Sequence, residues 1–298
     1  SHLPAADGRT RRHPQASPQL KLAYVAVSML NRYPRLKRAL KGLHVRLFPG
    51  ASVSSHYVAI DPLRTEAEGQ RLRGAWQDEG LPLRQRQLVD QQLKQYRSGS
   101  PVDVFDVFVR AIRELPAITT GMSLLEIGCS SGYYSEVIGI AGLPVAYSGC
   151  DYSEGFIQLA RDRHPEIQFS VEDATALAYP DESFDIVVSG CCLLHIPDYP
   201  AAIAETARVS RRFAIFHRTP VVWGQAEQWY RKSAYGVETV EIHFNETQFL
   251  ELLNQRGLEP VATYTLHEQA QDTTRSIGHA SRTYVCRKRD NPPSAALR

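Results

Sequence analysis

The chain has 298 residues, 43% of them hydrophobic and 22% charged, which is enough for one large core with an appendage or for two small domains. Its five cysteines are odd in number and include no CxxC pair, which excludes a disulfide framework and a structural zinc site and points to a reducing compartment. The net charge of +2 conceals ten Lys or Arg against the single Asp7 in residues 1–60, so residues 61–298 carry a net −7: a basic arm on an acidic body.

Residues 1–19, rich in Pro, Ser and Arg, read as a disordered or tag-derived arm. The apolar run Leu22 to Leu30 falls far short of the roughly 20 residues that cross a bilayer, and no small-residue cleavage site follows it. From Leu20 to Phe48 apolar residues recur at helical spacing on both sides of a break at Pro34, while Arg32, Arg35, Lys37, Arg38, Lys41 and Arg46 crowd the other face. Such a segment suits an anionic membrane surface, packing onto the body, or closure of a homodimer. Residues 20–100 are therefore read as a helical basic N-terminal extension. Helices are expected at Leu83–Tyr96, closed by Ser98-Gly99, and at Val102–Leu115, where Val104, Phe108, Ala111, Ile112 and Leu115 share a face.

From Met122 onward short apolar runs alternate with helical stretches. Strands are expected at Leu124–Ile127, Ala146–Cys150, Ile167–Val171, Phe184–Ser189 and Phe213–Phe216. A helix at Glu246–Asn254, N-capped by Asn245, and strands at Glu259–Leu266 and Arg282–Lys288 complete the body. The expected fold class is α/β: a Rossmann-like, doubly wound, mostly parallel seven-stranded sheet with helices on both faces, occupying residues 101–290, with 291–298 a disordered tail.

In an open parallel sheet, ligands sit beyond the C-terminal ends of the strands, and the first turn comes closest. Here that turn lies in "LLEIGCSSGYYS", Leu124 to Ser135, where Gly128 and Gly132 let backbone approach a ligand. Ser130 stands where a dinucleotide fingerprint has its middle glycine, which disfavours a pyrophosphate and hence a nicotinamide-dependent dehydrogenase. Asp151 ends the second strand, where a carboxylate can accept both hydrogen bonds of a ribose diol. Asp173 follows the third, placed for an exocyclic amine. With Glu126, three acids stand at three successive strand ends.

These residues resemble the class I S-adenosylmethionine-dependent methyltransferases, in particular the type 11 small-molecule group. The resemblance runs from about Met122 to Val209: "LLEIGCSSGYYS" is similar to the first motif, "GCDYSEGFIQLAR" to the ribose-binding one, and "EDATALAYPDESFDIVVSG" to the adenine loop and fourth strand. It implies S-adenosylmethionine as cofactor, with Glu126, Gly128, Cys129, Gly132, Asp151, Tyr152, Asp173 and Ala174 as cofactor residues and Cys191 as a backbone contact. Where such proteins commonly read R-V-L-x-P-G-G before strand five, this chain reads "RVSRRFAIFHRTP", which makes the acceptor side unusual.

Methyl transfer needs a nucleophile held in line, and a base when that nucleophile is a hydroxyl. His217, His195 and His243 are the candidates, no metal being expected. His217 has the best context, because "FHRTP" sets it beside Arg218, an anion-binding guanidinium, just past strand five. The following aromatic segment lies where the family commonly inserts its substrate lid, and Trp223, Tyr230 and Tyr235 are expected to contact the acceptor. The expected acceptor is a hydroxyl of a glycan, glycolipid or sugar intermediate, with N- or O-methylation of a natural-product small molecule as the alternative. Nucleic acid is disfavoured: the basic arm has little aromatic interleaving, and the fourth strand lacks an N/D-P-P-Y run. A non-catalytic binding protein on the same fold remains open. The expected location is cytoplasmic, with residues 20–48 as a peripheral membrane contact.

Overall fold

The computed structural model describes residues 53–272 and 277–289. The basic arm at 20–48, and with it the membrane and dimer readings, lies outside the described residues, as do residues 1–19 and 291–298. Among the described residues no helix is long and apolar enough to cross a membrane.

The strands are β1 (Val53–Ala59), β2 (Met122–Ile127), β3 (Val145–Asp151), β4 (Gln168–Val171), β5 (Phe184–Gly190), β6 (Ser210–Trp223), β7 (Gln228–Ala234), β8 (Val237–Asn245), β9 (Leu258–Asp272) and β10 (Ile277–Lys288). The helices are α1 (Thr65–Arg73), α2 (Leu81–Arg97), α3 (Asp103–Arg113), α4 (Tyr133–Ala141), α5 (Glu154–Arg163), α6 (Tyr199–Val209) and α7 (Glu246–Gln255). Strands β4, β3, β2, β5 and β6 lie side by side and parallel; β10 pairs antiparallel with β6, and β9 with β10. That is the expected seven-stranded core, with an addition. The segment expected to form a lid is β7 and β8, an antiparallel hairpin that also takes up β1. It joins the core where Val221 and Val222 of β6 meet Phe244 and Asn245 of β8.

Period-two alternation sorts the core strands between two layers. Ile186, Val188, Ile215 and Val285 pack with α3 and α4 on one face. Ala214, Phe216, Tyr284 and Cys286 pack with α6 and α7 on the other. Helix α3 buries Phe105, Phe108, Val109, Ala111 and Ile112, and the Phe108 ring stacks on Tyr134 at 4.1 Å. Its N-terminus is closed by the Asp106 carboxylate, which accepts from the Val102 N–H at 3.1 Å. Asn245 is itself the N-cap of α7, its side-chain oxygen accepting from Gln248 N–H at 3.1 Å.

Residues 53–100 pack against the sheet and its helices. Helix α2 is anchored by Arg86, which is 3% exposed and donates to Glu136 of α4 at 2.5 Å and to Asp90 at 2.8 Å. Arg84 reaches the hairpin, donating to the Tyr235 carbonyl at 2.6 Å. The helical segment thus spans the body and holds the β7–β8 turn.

Candidate functional site

A cavity of about 670 Å3 opens above the C-terminal ends of the parallel strands, within the range of small-molecule sites. The turn from β2 into α4 forms one wall. Gly128 takes φ +72°, and a Cβ there would lie 2.3 Å from the Cys192 Cβ, so both conformation and space demand glycine. Gly128 and Ser130 line the cavity. Cys129, fully buried, and Gly132, pressed against the Phe169 ring, shape the turn from behind.

Asp151, at the end of β3, accepts from Ser130 N–H at 2.9 Å and Ser153 N–H at 3.0 Å and presents its carboxylate to the cavity. Burial raises its pKa, although the N–H groups of Ser153 and Ser130 pull it down. Tyr152 and Ala174 line the same end. Asp173 lines it too, with Oδ1 accepting from the Thr175 N–H at 3.0 Å and hydroxyl at 2.7 Å, while Oδ2 pairs with Arg73. Burial pushes the Asp173 carboxyl up, but the Thr175 hydrogen bonds and the Arg73 charge outweigh it and leave its pKa lowered. Tyr152 also bonds to Arg73 through its hydroxyl and the Arg73 carbonyl. Helix α1 thus closes over this end.

The opposite end is built around His195, in a 3-10 turn after β5. Its Nδ1 lies 2.6 Å from the Val240 carbonyl oxygen; a carbonyl cannot donate, so Nδ1 carries the proton and Nε2 is left with its lone pair. Burial lowers the His195 pKa, so the ring is neutral at pH 7. Trp76 covers it at 4.7 Å between ring centroids, and Tyr235 meets Trp76 at 6.3 Å. Beside it, Glu241 accepts from Lys232 at 2.6 Å, Tyr57 at 3.0 Å and His243 at 3.1 Å. Burial alone would raise the Glu241 pKa; the His243 hydrogen bond and Lys232 charge reverse that and bring it to about 2. Cys191, Arg218 and His243 also face the cavity.

Backbone strain gathers here. Ser130, Cys191, Arg218 and Tyr235 all have left-handed φ, at 54°, 69°, 58° and 52°, and all four line the cavity.

Residues 125–216 match the family model of a methyltransferase domain. This stretch contains the turn, Asp151, Asp173 and His195. This stretch is a methyltransferase domain. Among similar proteins is a demethylmenaquinone methyltransferase of Renibacterium salmoninarum, 32% identical over 102 residues, which are 34% of this chain and 42% of that protein. Another is a phthiotriol/phenolphthiotriol dimycocerosates methyltransferase of Mycobacterium leprae, 33% identical over 94 residues, 31% of this chain and 35% of that one. The chain thus spans less than half the length of these relatives. Among solved structures, the 1,6-didemethyltoxoflavin-N1-methyltransferase of Burkholderia thailandensis has a TM-score of 0.49 at 16% identity, covering 78% of this chain and 95% of that one.

S-adenosylmethionine is the cofactor of such a domain, and the residues present fit it. Asp151 offers remaining lone pairs to a ribose, while Ile127, Phe156 and Leu194 supply apolar walls. Glu126 fits less directly. It is 1% exposed, accepts from the Tyr147 hydroxyl, and lies under Gly190, whose Cβ would come 2.2 Å from Oε1. Burial pushes its pKa up to about 8. Among the described residues Oε1 has no hydrogen-bond partner, and the side chain does not line the cavity.

Three residues expected at the acceptor are placed elsewhere. His217 is 1% exposed, with Nδ1 at 2.9 Å from the Thr283 hydroxyl and Nε2 at 3.0 Å from the Tyr134 hydroxyl, so neither nitrogen is open to an acceptor. The reason is that β6 does not end at Phe216 but runs on to Trp223, which leaves His217 inside the sheet opposite Gly190. Trp223 lies against Gly278 at the strand's far end, with the Arg282 guanidinium 5.6 Å over its ring. Tyr230 faces Tyr57 and His243 at 5.4 and 4.9 Å and does not line the cavity. In their place stand residues outside the motifs, Trp76, Gln85 and Lys232, together with Tyr133 of the first motif. Gln85 of α2 bonds to the Ser130 hydroxyl and so belongs to the cofactor turn.

Proposed function

We propose that this chain transfers the methyl group of S-adenosylmethionine to a hydroxyl of a small-molecule acceptor, with His195 as general base. The observation that carries this reading is the tautomer of His195: Nδ1–H is committed to the Val240 carbonyl, which leaves Nε2 unprotonated on a ring that lines the cavity. Bound S-adenosylmethionine supplies the electrophilic methyl carbon. Asp151 and the Gly128–Ser130 turn hold it, and Trp76 and Tyr235 position the acceptor. His195 Nε2 would take the proton of the acceptor hydroxyl, and the cofactor, as methyl donor, would leave as S-adenosylhomocysteine. Glu241, whose charge favours the protonated form of His195, stabilises the imidazolium.

A sugar or another hydroxylated ring is the finer form of the reading, supported by the Trp76 and Tyr235 rings at the acceptor end. Methyl-labelled S-adenosylmethionine, offered with a panel of hydroxylated sugars and of non-sugar rings, tests it. Labelled product that disappears in His195→Ala is expected. Failure to bind S-adenosylhomocysteine, or full turnover by His195→Ala, contradicts it.

A further inference from the structure

Among the described residues three cations, Arg73, Arg218 and Lys232, line the cavity, and two of them are committed. Arg73 pairs with Asp173, and Lys232 with Glu241 and the Tyr57 hydroxyl. The third, Arg218, makes no side-chain hydrogen bond or ion pair among the described residues; its backbone N–H meets the Thr283 hydroxyl at 3.4 Å.

A partly buried guanidinium without an acceptor is costly, because it gives up hydration and receives no carboxylate in return. The backbone adds to the cost. Arg218 sits at φ 58°, a conformation that suits Gly or Asn and strains a long side chain, immediately beyond the pairing of His217 with Gly190. Sign matters as well. The acids that line the cavity are Asp151, Glu172 and Asp173 at the cofactor end and Glu241 at the other, where Lys232 already neutralises it. The acceptor end is left with one uncompensated positive charge, on a group whose planar fork matches two oxygens of one anion.

We infer that the acceptor carries an anionic group, a carboxylate or a phosphate, and that Arg218 receives it while the acceptor's hydroxyl faces His195. This rests on the reading of the cavity as a methyltransferase site and names its substrate class: a hydroxylated molecule bearing an acidic group.

The test is calorimetric titration of inorganic phosphate and, separately, of benzoate into the full chain saturated with S-adenosylhomocysteine, at low ionic strength. Wild type should bind at least one of them, and which one it prefers separates phosphate from carboxylate. Arg218→Asn removes the charge and tolerates the left-handed backbone, so it is the variant of choice. It should weaken anion binding at least tenfold while leaving S-adenosylhomocysteine affinity within about twofold. Arg218→Lys keeps the charge without the fork; it should weaken anion binding several-fold, and it decides the matter if Arg218→Asn fails to fold. The inference is overturned if wild type binds neither anion, if the variants bind as well as wild type, or if a folded variant loses S-adenosylhomocysteine, which would assign Arg218 to the cofactor's own carboxylate. If wild type binds an anion but not S-adenosylhomocysteine, the methyltransferase reading fails and the anion site stands.

Discussion

The two ends of the cavity are assembled in different ways. At the cofactor end, Gly128, Ser130 and Asp151 come from consecutive strand–turn–helix units, and each is placed by backbone only a few residues away. At the acceptor end, Trp76, His195, Arg218 and Tyr235 come from four separate segments, brought together by a hairpin and by helices from the N-terminal side of the sheet. The charges differ too: carboxylates dominate the first end, while the Arg218 guanidinium, unpaired among the described residues, and several imidazoles mark the second. A local construction holds a constant ligand, whereas a composite one can change its acceptor by altering one segment.

If the ends are functionally separate, lesions at one should spare the other. The largest effect is expected from His195→Ala, which should lower turnover by roughly 10²–10⁴. Because burial lowers the His195 pKa from its ordinary 6.5, and the base must be neutral, the acid limb of kcat/KM should have its midpoint below pH 6.5. A pH–rate profile whose acid limb lies above 6.5 would assign the base elsewhere.

Glu241→Gln sharpens the comparison by loosening the acceptor wall alone. The Glu241 pKa of about 2, against about 4.3 for an unfolded glutamate, places on the order of 3 kcal/mol of stability in its ionised form. The sign follows from the depressed folded value: the contribution is complete above the unfolded pKa and is lost as pH falls from about 4.3 towards about 2. Thermal melts should show the variant less stable than wild type at pH 7, with the gap roughly halved near pH 3 and closing only below about pH 2. A constant gap would mean that packing, and not charge, makes the difference.

The smallest effect is expected from Arg73→Ala. Its pair with Asp173 is more than a third exposed on both sides and contributes no more than about 1 kcal/mol to stability. Freeing Asp173 Oδ2 should tighten S-adenosylhomocysteine by a few-fold, and weaker binding would show that Arg73 itself contacts the cofactor.

What the sequence made legible follows the same division. Gly128, Asp151 and Asp173 could be placed from local signals alone, since a glycine turn and a strand-end acid fix their positions by spacing. Trp76 and Gln85 could not, because each meets the site through a helix-to-sheet contact set by packing. His217 shows the reverse failure. Its place just past an apolar run marked an open strand end, but the pairing of β6 with β10 continues through Thr219 and Pro220 and leaves the ring no access to the cavity. The hairpin β7–β8 was visible only as aromatic and polar residues without a clear period.

Separation of the two ends is tested most directly by calorimetric titration of S-adenosylhomocysteine into wild type, Asp151→Ala and His195→Ala. Asp151→Ala should weaken binding by about 1–3 kcal/mol, because the ribose loses a charged acceptor, while His195→Ala should bind within twofold of wild type. Equal losses in both variants, or an unchanged Asp151→Ala, would contradict the account.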